Sequence, residues 1–332
     1  MTHCAVVGGG AWGTALAQVL AAHGSDVRLW AHEADVVDSI NGARENVRFL
    51  PGTHLSRRIE ATNDMARAVG GAWLVLYVAP SHVLRRVAAQ GASSVGAGAV
   101  IVVATKGIEQ RTLAIMSRVI EEELPGRDVV ALSGPSFAAE VAAGQPTAVV
   151  AAAKSAEAAD RVQQAFSSGA FRVYTHDDVV GVELGGALKN VIAVATGIAE
   201  GLGLGHNPRA ALITRGLAEI TRLGVQLGAS PLTFAGLAGI GDLVLTCTGA
   251  LSRNRAVGIE VGKGRSLEDV LRDRETVAEG VTTTVSAYAL AEREGVEMPI
   301  VRAVHRTLFE GHPARAAITE LMTRELRPEQ DQ

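Results

Sequence analysis

Residues 4–13 read CAVVGGGAWG, an apolar run followed by Gly8, Gly10 and Gly13 in the spacing GxGxxG. Residues 14–22 continue with the pattern of a helix, so the glycines sit at a strand-to-helix turn. That context gives each glycine a task. Gly8 permits the tight turn, Gly10 lets backbone N–H groups approach a pyrophosphate, and Gly13 lets helix pack on strand, while the helix N-terminus attracts the anion. A dinucleotide-binding unit is predicted, against the plainer alternative of a glycine-rich connector.

Outward from this turn, short apolar runs alternate with amphipathic ones. Residues 27–30, 73–79, 99–105, 129–132, 147–153 and 171–174 read as strands rich in Val, Ile and Leu, and residues 81–90 and 112–124 as helices between them. After about residue 180 the strand pattern stops. Long helices are expected at 179–200, 208–227 and 277–295, with two shorter ones from Ile300 onward. The fold class predicted is α/β: an N-terminal Rossmann-type parallel sheet with helices on both faces, then an all-α C-terminal domain. The division is expected at 1–182 and 183–332, with no linker-like segment between.

The 332 residues suit two domains at roughly 150 residues each. With 48% hydrophobic and 20% charged residues the chain is globular, and a net charge of −4 excludes a global cationic field for nucleic acid or an anionic bilayer. Only Cys4 and Cys247 occur, the sparse usage of a reducing compartment, so the cytoplasm is expected. No membrane insertion is expected. The nine His residues show no metal-ligand spacing, and no metal site is predicted. Oligomeric state is not written in the sequence, although the apolar helical half suits a homodimer.

The basic residues comprise 27 Arg and four Lys, namely Lys106, Lys154, Lys189 and Lys263. In so Arg-rich a chain, a retained Lys can mark a place that needs a titratable amine. Lys189 is the only charged residue between Glu183 and Glu200, on a helix apolar nearly all round. Such a helix is buried, and desolvation lowers an ammonium pKa toward the range useful for proton transfer. A structural ion pair is the plain alternative. Gly185 and Gly186 beside it imply close approach of another backbone or a ligand. Lys106 ends a strand and so points toward the crevice where ligands bind in open parallel sheets, unless it is merely a surface Lys. Ser133-Gly134-Pro135-Ser136 occupies the analogous place after a later strand, with Ser136 expected to cap or begin the next helix. Residues 239–255 read as a flexible loop leading to a helix, bringing together Asp242, Ser252, Arg253 and Asn254. Arg, Asn, Ser and a helix N-terminus together suit a small phosphorylated substrate, though a solvated polar loop has the same composition. Cys247 reads as inert.

At the second strand's end, Trp30 and Ala31 stand where an acid would bind a ribose 2′-OH, with His32 able to approach a 2′-phosphate and Glu33 slightly late. NAD and NADP both remain open.

These motifs resemble the soluble bacterial NAD(P)-dependent glycerol-3-phosphate dehydrogenases. The resemblance is carried by residues 186–207, GALKNVIAVATGIAEGLGLGHN, and by the glycine turn, residues 104–107, 133–136, 241–248, 252–255 and 279–280, so it spans essentially the whole chain. It implies reversible reduction of dihydroxyacetone phosphate to sn-glycerol 3-phosphate, feeding glycerophospholipid synthesis. By that resemblance Lys189 is the proton donor and acceptor, and Lys106 and Asp242 complete the catalytic group. Substrate contacts fall on Lys106, Gly134, Ser136, Lys189, Asp242, Ser252, Arg253 and Asn254. Cofactor contacts fall on Gly8, Gly10, Ala11, Trp12, Gly13, His32, Lys106, Ala138, Arg253, Val277 and Glu279. Ala11 stands where many members have Ser, and Ser136 where many have Thr. A 3-hydroxyacid-type dehydrogenase, whose substrate carboxylate replaces the phosphate, and a non-catalytic dinucleotide sensor are the competing expectations.

Overall fold

In the computed structural model, which describes residues 3–272, 278–326 and 328–329, the apolar runs pair side by side. β1 (Cys4–Val7), β2 (Val27–Trp30), β3 (Ile59–Thr62), β4 (Leu74–Tyr77), β5 (Val100–Val103), β6 (Val129–Ser133), β7 (Thr147–Ala152) and β8 (Phe171–His176) form one sheet in the order 3-2-1-4-5-6-7-8. β1, β4 and β5 are buried along their whole length, as strands covered on both faces must be. The connecting helices are α1 (Ala11–Ala22), α2 (Ala34–Ala43), α3 (Met65–Val69), α4 (Leu84–Gly91), α5 (Met116–Glu123), α6 (Ala138–Ala142) and α7 (Ala156–Phe166).

Two features depart from the expected parallel sheet. β7 runs antiparallel to β6, with Ser133 opposite Val150. The intervening α6 is five residues long and packs on α1, so it makes no crossover and the chain re-enters the sheet from the end it left. β3 goes unread in the sequence because its four residues, IEAT, form an edge strand with Glu60 exposed and little apolar signal.

Beyond His176 every described element is helical: α8 (Val179–Gly201), α9 (His206–Gln226), α10 (Asp242–Thr248), α11 (Arg253–Gly262), α12 (Leu267–Arg272), α13 (Glu279–Glu294), α14 (Pro299–Phe309) and α15 (Ala314–Met322), with short helical turns before α10. By length and composition α8 could cross a membrane, but residues 181–199 are all buried inside the protein. It is the axis of the helical half.

Small residues make that burial possible. A methyl group on Gly197 would lie 2.1 Å from the Arg255 carbonyl oxygen, and one on Gly258 would lie 2.2 Å from the Val194 carbonyl oxygen. Gly201 and Gly262 repeat the arrangement one turn on, so α8 and α11 touch backbone to backbone. The N-terminal end of α8 is tied to the sheet half by Glu183, whose carboxylate accepts the Ser117 N–H (2.9 Å) and the Ser117 hydroxyl, capping α5 from the opposite half. Burial pushes the Glu183 carboxyl up to about 7. The Ser286 hydroxyl on α13 adds a second tie, donating to the Ile108 carbonyl at 3.0 Å.

Replacing Gly258 by Ala forces these two backbones apart, an overpacking cost of about 1–3 kcal/mol. The urea midpoint of Gly258→Ala is expected to fall clearly below wild type. Gly98→Ala serves as control, because a methyl there meets nothing within 4 Å. Equal midpoints for the two variants would contradict the close helix packing.

Candidate active site

The glycine turn has the geometry that its sequence requires. Gly8 has φ +132°, and a methyl on it would lie 2.9 Å from the Val78 carbonyl carbon. A methyl on Gly13 would lie 1.9 Å from the Gly8 oxygen, the close contact of α1 with β1. Gly10 precedes α1, and a methyl there meets nothing within 4 Å, so the turn is open on its outer side. Ala11 and Trp12 begin α1, both half-buried, and the buried Trp12 Nε1 has no partner among the described residues. At the end of β2, Ala31 is buried and His32 exposed, with its ring 6.4 Å from that of Trp30. Ala138 begins α6, which packs on α1.

A residue absent from the sequence-based expectations holds this turn in place. Fully buried Asn46 donates from Nδ2 to the Gly9 carbonyl and to Thr14 Oγ1, both at 2.8 Å, and its Oδ1 accepts the Phe49 N–H at 3.0 Å. It lies 37 positions beyond Gly9, so local sequence gives no sign of it.

The two lysines meet at one carboxylate. Asp242 is the first residue of α10 and only 1% exposed. Its Oδ1 accepts from Lys189 Nζ, on α8, and its Oδ2 accepts from Lys106 Nζ, beyond β5, at 2.6 Å. Lys189 Nζ also donates to Thr246 Oγ1 at 2.8 Å, and Thr246 donates to the Asp242 carbonyl at 2.7 Å. Lys106 Nζ donates in addition to the Gly134 carbonyl at 3.3 Å. Burial pulls the Lys189 ammonium down to about 8; Asp242 opposes that shift and Lys106 adds to it. A buried carboxylate shared by two ammonium groups leaves one positive charge in excess at the seam between the halves.

Close approach is enforced on α8 at this level. A methyl on Gly185 would lie 2.5 Å from the Ala238 carbonyl oxygen, and one on Gly186 would lie 2.5 Å from Ser133 Oγ. Gly134 has φ +148°, and a methyl there would strike Val149 Cα at 2.9 Å. Ser136 neither caps nor begins α6, whose N-cap is Phe137; the Ser136 hydroxyl donates to the Gly134 carbonyl at 2.9 Å.

Residues 239–255 are not the flexible loop that the sequence suggests. They form α10 and the start of α11, joined through Gly249 and Ser252. The Ser252 hydroxyl caps α11 by accepting the Arg255 N–H at 3.2 Å. Arg253, the first residue of α11, is exposed and pairs with nothing among the described residues. Asn254 is turned inward: its Nδ2 donates to Asn190 Oδ1 at 2.8 Å and its Oδ1 accepts the Gly280 N–H at 2.9 Å, bridging α8, α11 and α13. Glu279 begins α13, half-buried. Burial raises its carboxyl pKa, against the pull of Arg253, Lys106 and Lys189 nearby. Val277 lies outside the described residues.

Thr246 and Asn190 are missed by sequence reasoning for different reasons. Thr246 sits one helical turn beyond Asp242, a neighbour only once α10 is known to be a helix. Asn190 is the residue after Lys189, but its role as a bridge depends on where α11 lies.

A Rossmann-type sheet with a glycine turn, joined to a helical half by a buried Lys–Asp–Lys cluster, is the architecture of a nicotinamide-dependent dehydrogenase. The family models for the NAD-dependent glycerol-3-phosphate dehydrogenase N-terminus and C-terminus match residues 3–159 and 178–319, and the chain belongs to this family. It is 57% identical to glycerol-3-phosphate dehydrogenase [NAD(P)+] of Geobacter sp. (strain M21), over 98% of each chain. The enzyme of that name from Myxococcus xanthus is 52% identical over 98% of each. Among solved structures, glycerol-3-phosphate dehydrogenase from Coxiella burnetii shares 40% identity, with a TM-score of 0.94, 97% of this chain and 99% of that one being covered.

Asn46→Ala takes the acceptor from the half-buried Phe49 N–H and leaves the Gly9 carbonyl with only the long contact from the Thr14 hydroxyl at 3.5 Å, a loss of about 1–3 kcal/mol. The variant is expected to melt below wild type and to bind NADH and NADPH more weakly. Unchanged affinity for both, measured by fluorescence titration, would show that Asn46 does not shape the turn.

Proposed function

We propose that this chain catalyses the reversible reduction of dihydroxyacetone phosphate by NADH or NADPH to sn-glycerol 3-phosphate, for glycerophospholipid synthesis in the cytoplasm. The observation that carries this proposal is the buried Asp242 carboxylate held between Lys106 and Lys189. We divide the chain at residues 1–182, which would hold the cofactor, and 183–332, which would supply most of the substrate contacts.

The glycine turn fits a dinucleotide. Gly10 leaves its outer side open and Trp12 Nε1 is buried without a partner. The positive end of α1 faces the place where a pyrophosphate would be held. At the end of β2, Ala31 and His32 stand where an acid would meet the ribose and Glu33 comes only at the following position, which supports use of either cofactor. When bound, the reduced cofactor supplies the hydride.

The protein's own residues then handle charge and protons. A ketone oxygen gains negative charge during reduction, so an ammonium aimed at it lowers the barrier. Lys189 supplies that ammonium, and it also supplies the proton that converts alkoxide into alcohol, a step an Arg side chain performs poorly. Asp242 and Thr246 fix the direction of Lys189 Nζ. Lys106 adds positive charge and helps to keep the Lys189 proton labile. The substrate phosphate is assigned to Arg253, an unpaired guanidinium at the N-terminus of α11, where backbone dipole and side chain act together. Binding a group remote from the reacting carbon orients the ketone.

The sign of the pH dependence follows from Lys189. Reduction requires the protonated amine, so its kcat is expected to fall as pH rises through about 8, whereas oxidation requires the free amine and rises over the same window. Parallel profiles in the two directions would remove Lys189 from proton transfer. For Arg253→Ala, KM for dihydroxyacetone phosphate is expected to rise by roughly 10- to 100-fold, with little change for unphosphorylated dihydroxyacetone. Equal losses for both substrates would contradict the phosphate assignment.

A further inference from the structure

Three consecutive threonines on α13 behave differently. The Thr282 hydroxyl donates to the Glu279 carbonyl at 3.0 Å and the Thr284 hydroxyl to the Gly280 carbonyl at 2.6 Å, the usual way a helical Thr satisfies itself. Thr283 does neither. It is 1% exposed, and its Oγ1 is buried with no hydrogen-bond partner among the described residues. A buried hydroxyl left unsatisfied costs stability and calls for a partner.

Its position indicates which partner. A methyl on Gly107 would lie 3.8 Å from Thr283 Oγ1 and 2.7 Å from Ser81 Oγ, so Thr283 faces the segments that follow β5 and β4. Strand order reverses between β1, which carries the glycine turn, and β4. A dinucleotide held at such a switch point would cross the sheet there, with its adenosine toward β2 and its nicotinamide toward β4 and β5. Thr283 therefore stands on the nicotinamide side, one helical turn beyond Glu279 and opposite the residue that follows Lys106. A nicotinamide carries a carboxamide, which has both a donor and an acceptor for a hydroxyl.

We propose that the Thr283 hydroxyl is a cofactor contact, hydrogen-bonded to the carboxamide of the bound nicotinamide and fixing the rotation of its ring before the ketone. This rests on the cofactor assignment above. Thr283→Val, nearly isosteric, removes the hydroxyl alone. Its Kd for NADH and NADPH, read by fluorescence titration, is expected to rise about tenfold. Its Kd for ADP-ribose, which lacks the nicotinamide, stays at the wild-type value, and Thr283→Ser restores NADH binding. Without ligand, Thr283→Val melts at or above the wild-type temperature, because the fold makes no use of the hydroxyl. Equal weakening of NADH and ADP-ribose, or unchanged NADH affinity with a raised KM for dihydroxyacetone phosphate, would overturn the proposal. A wild-type protein that binds neither NADH nor ADP-ribose would remove the cofactor assignment, and the proposal with it.

Discussion

One buried carboxylate, Asp242, accepts from two ammonium groups that reach it from different halves of the molecule, Lys106 from the end of β5 and Lys189 from the middle of α8. Burial works against the charge on Lys189, and a carboxylate as buried as Asp242 would be costly without its partners. The triad is stable only as a unit. Its net charge is positive, it lies at the carboxyl edge of the sheet, and one of its amines is desolvated enough to exchange a proton near neutral pH. Those are the requirements of a ketone reductase whose acid is an amine.

Much of the surrounding fold serves to bring α8 to that position. Gly185 and Gly186 admit the Ala238 backbone and Ser133 on one side, and Gly197 and Gly201 admit α11 further along. The Glu183 carboxylate sets the near end of α8 against α5. Asn254, expected to reach substrate, joins α8, α11 and α13. Its neighbour Arg253 is left exposed at the helix terminus. In this arrangement the arginine proposed to hold the substrate phosphate stands beside an amide that keeps three helices together.

What could be read from sequence follows the range of the interactions. The glycine turn is legible because its spacing and its place between a strand and a helix are written in consecutive residues, whatever lies against each glycine. Burial of Lys189 was legible because its helix offers no polar face. The Asp242 bridge drew on resemblance, since 53 residues separate it from Lys189. Asn46, Thr246 and Thr283 escaped notice, because a single polar residue acquires meaning only from what is folded against it. The antiparallel β7 escaped for a similar reason. Its composition suits either direction, and the choice was made by a short α6 diverted onto α1.

The central claim is the protonation behaviour of Lys189, and the chain offers a direct view of it because it contains only four lysines. In protein labelled with ¹³C at the lysine side chains, with Lys189→Ala used for assignment, the Lys189 resonance should titrate near pH 8, apart from an ordinary ammonium at 10.5. A midpoint at or above 10.5 would show an amine that keeps its proton throughout, and would contradict its part in the reaction.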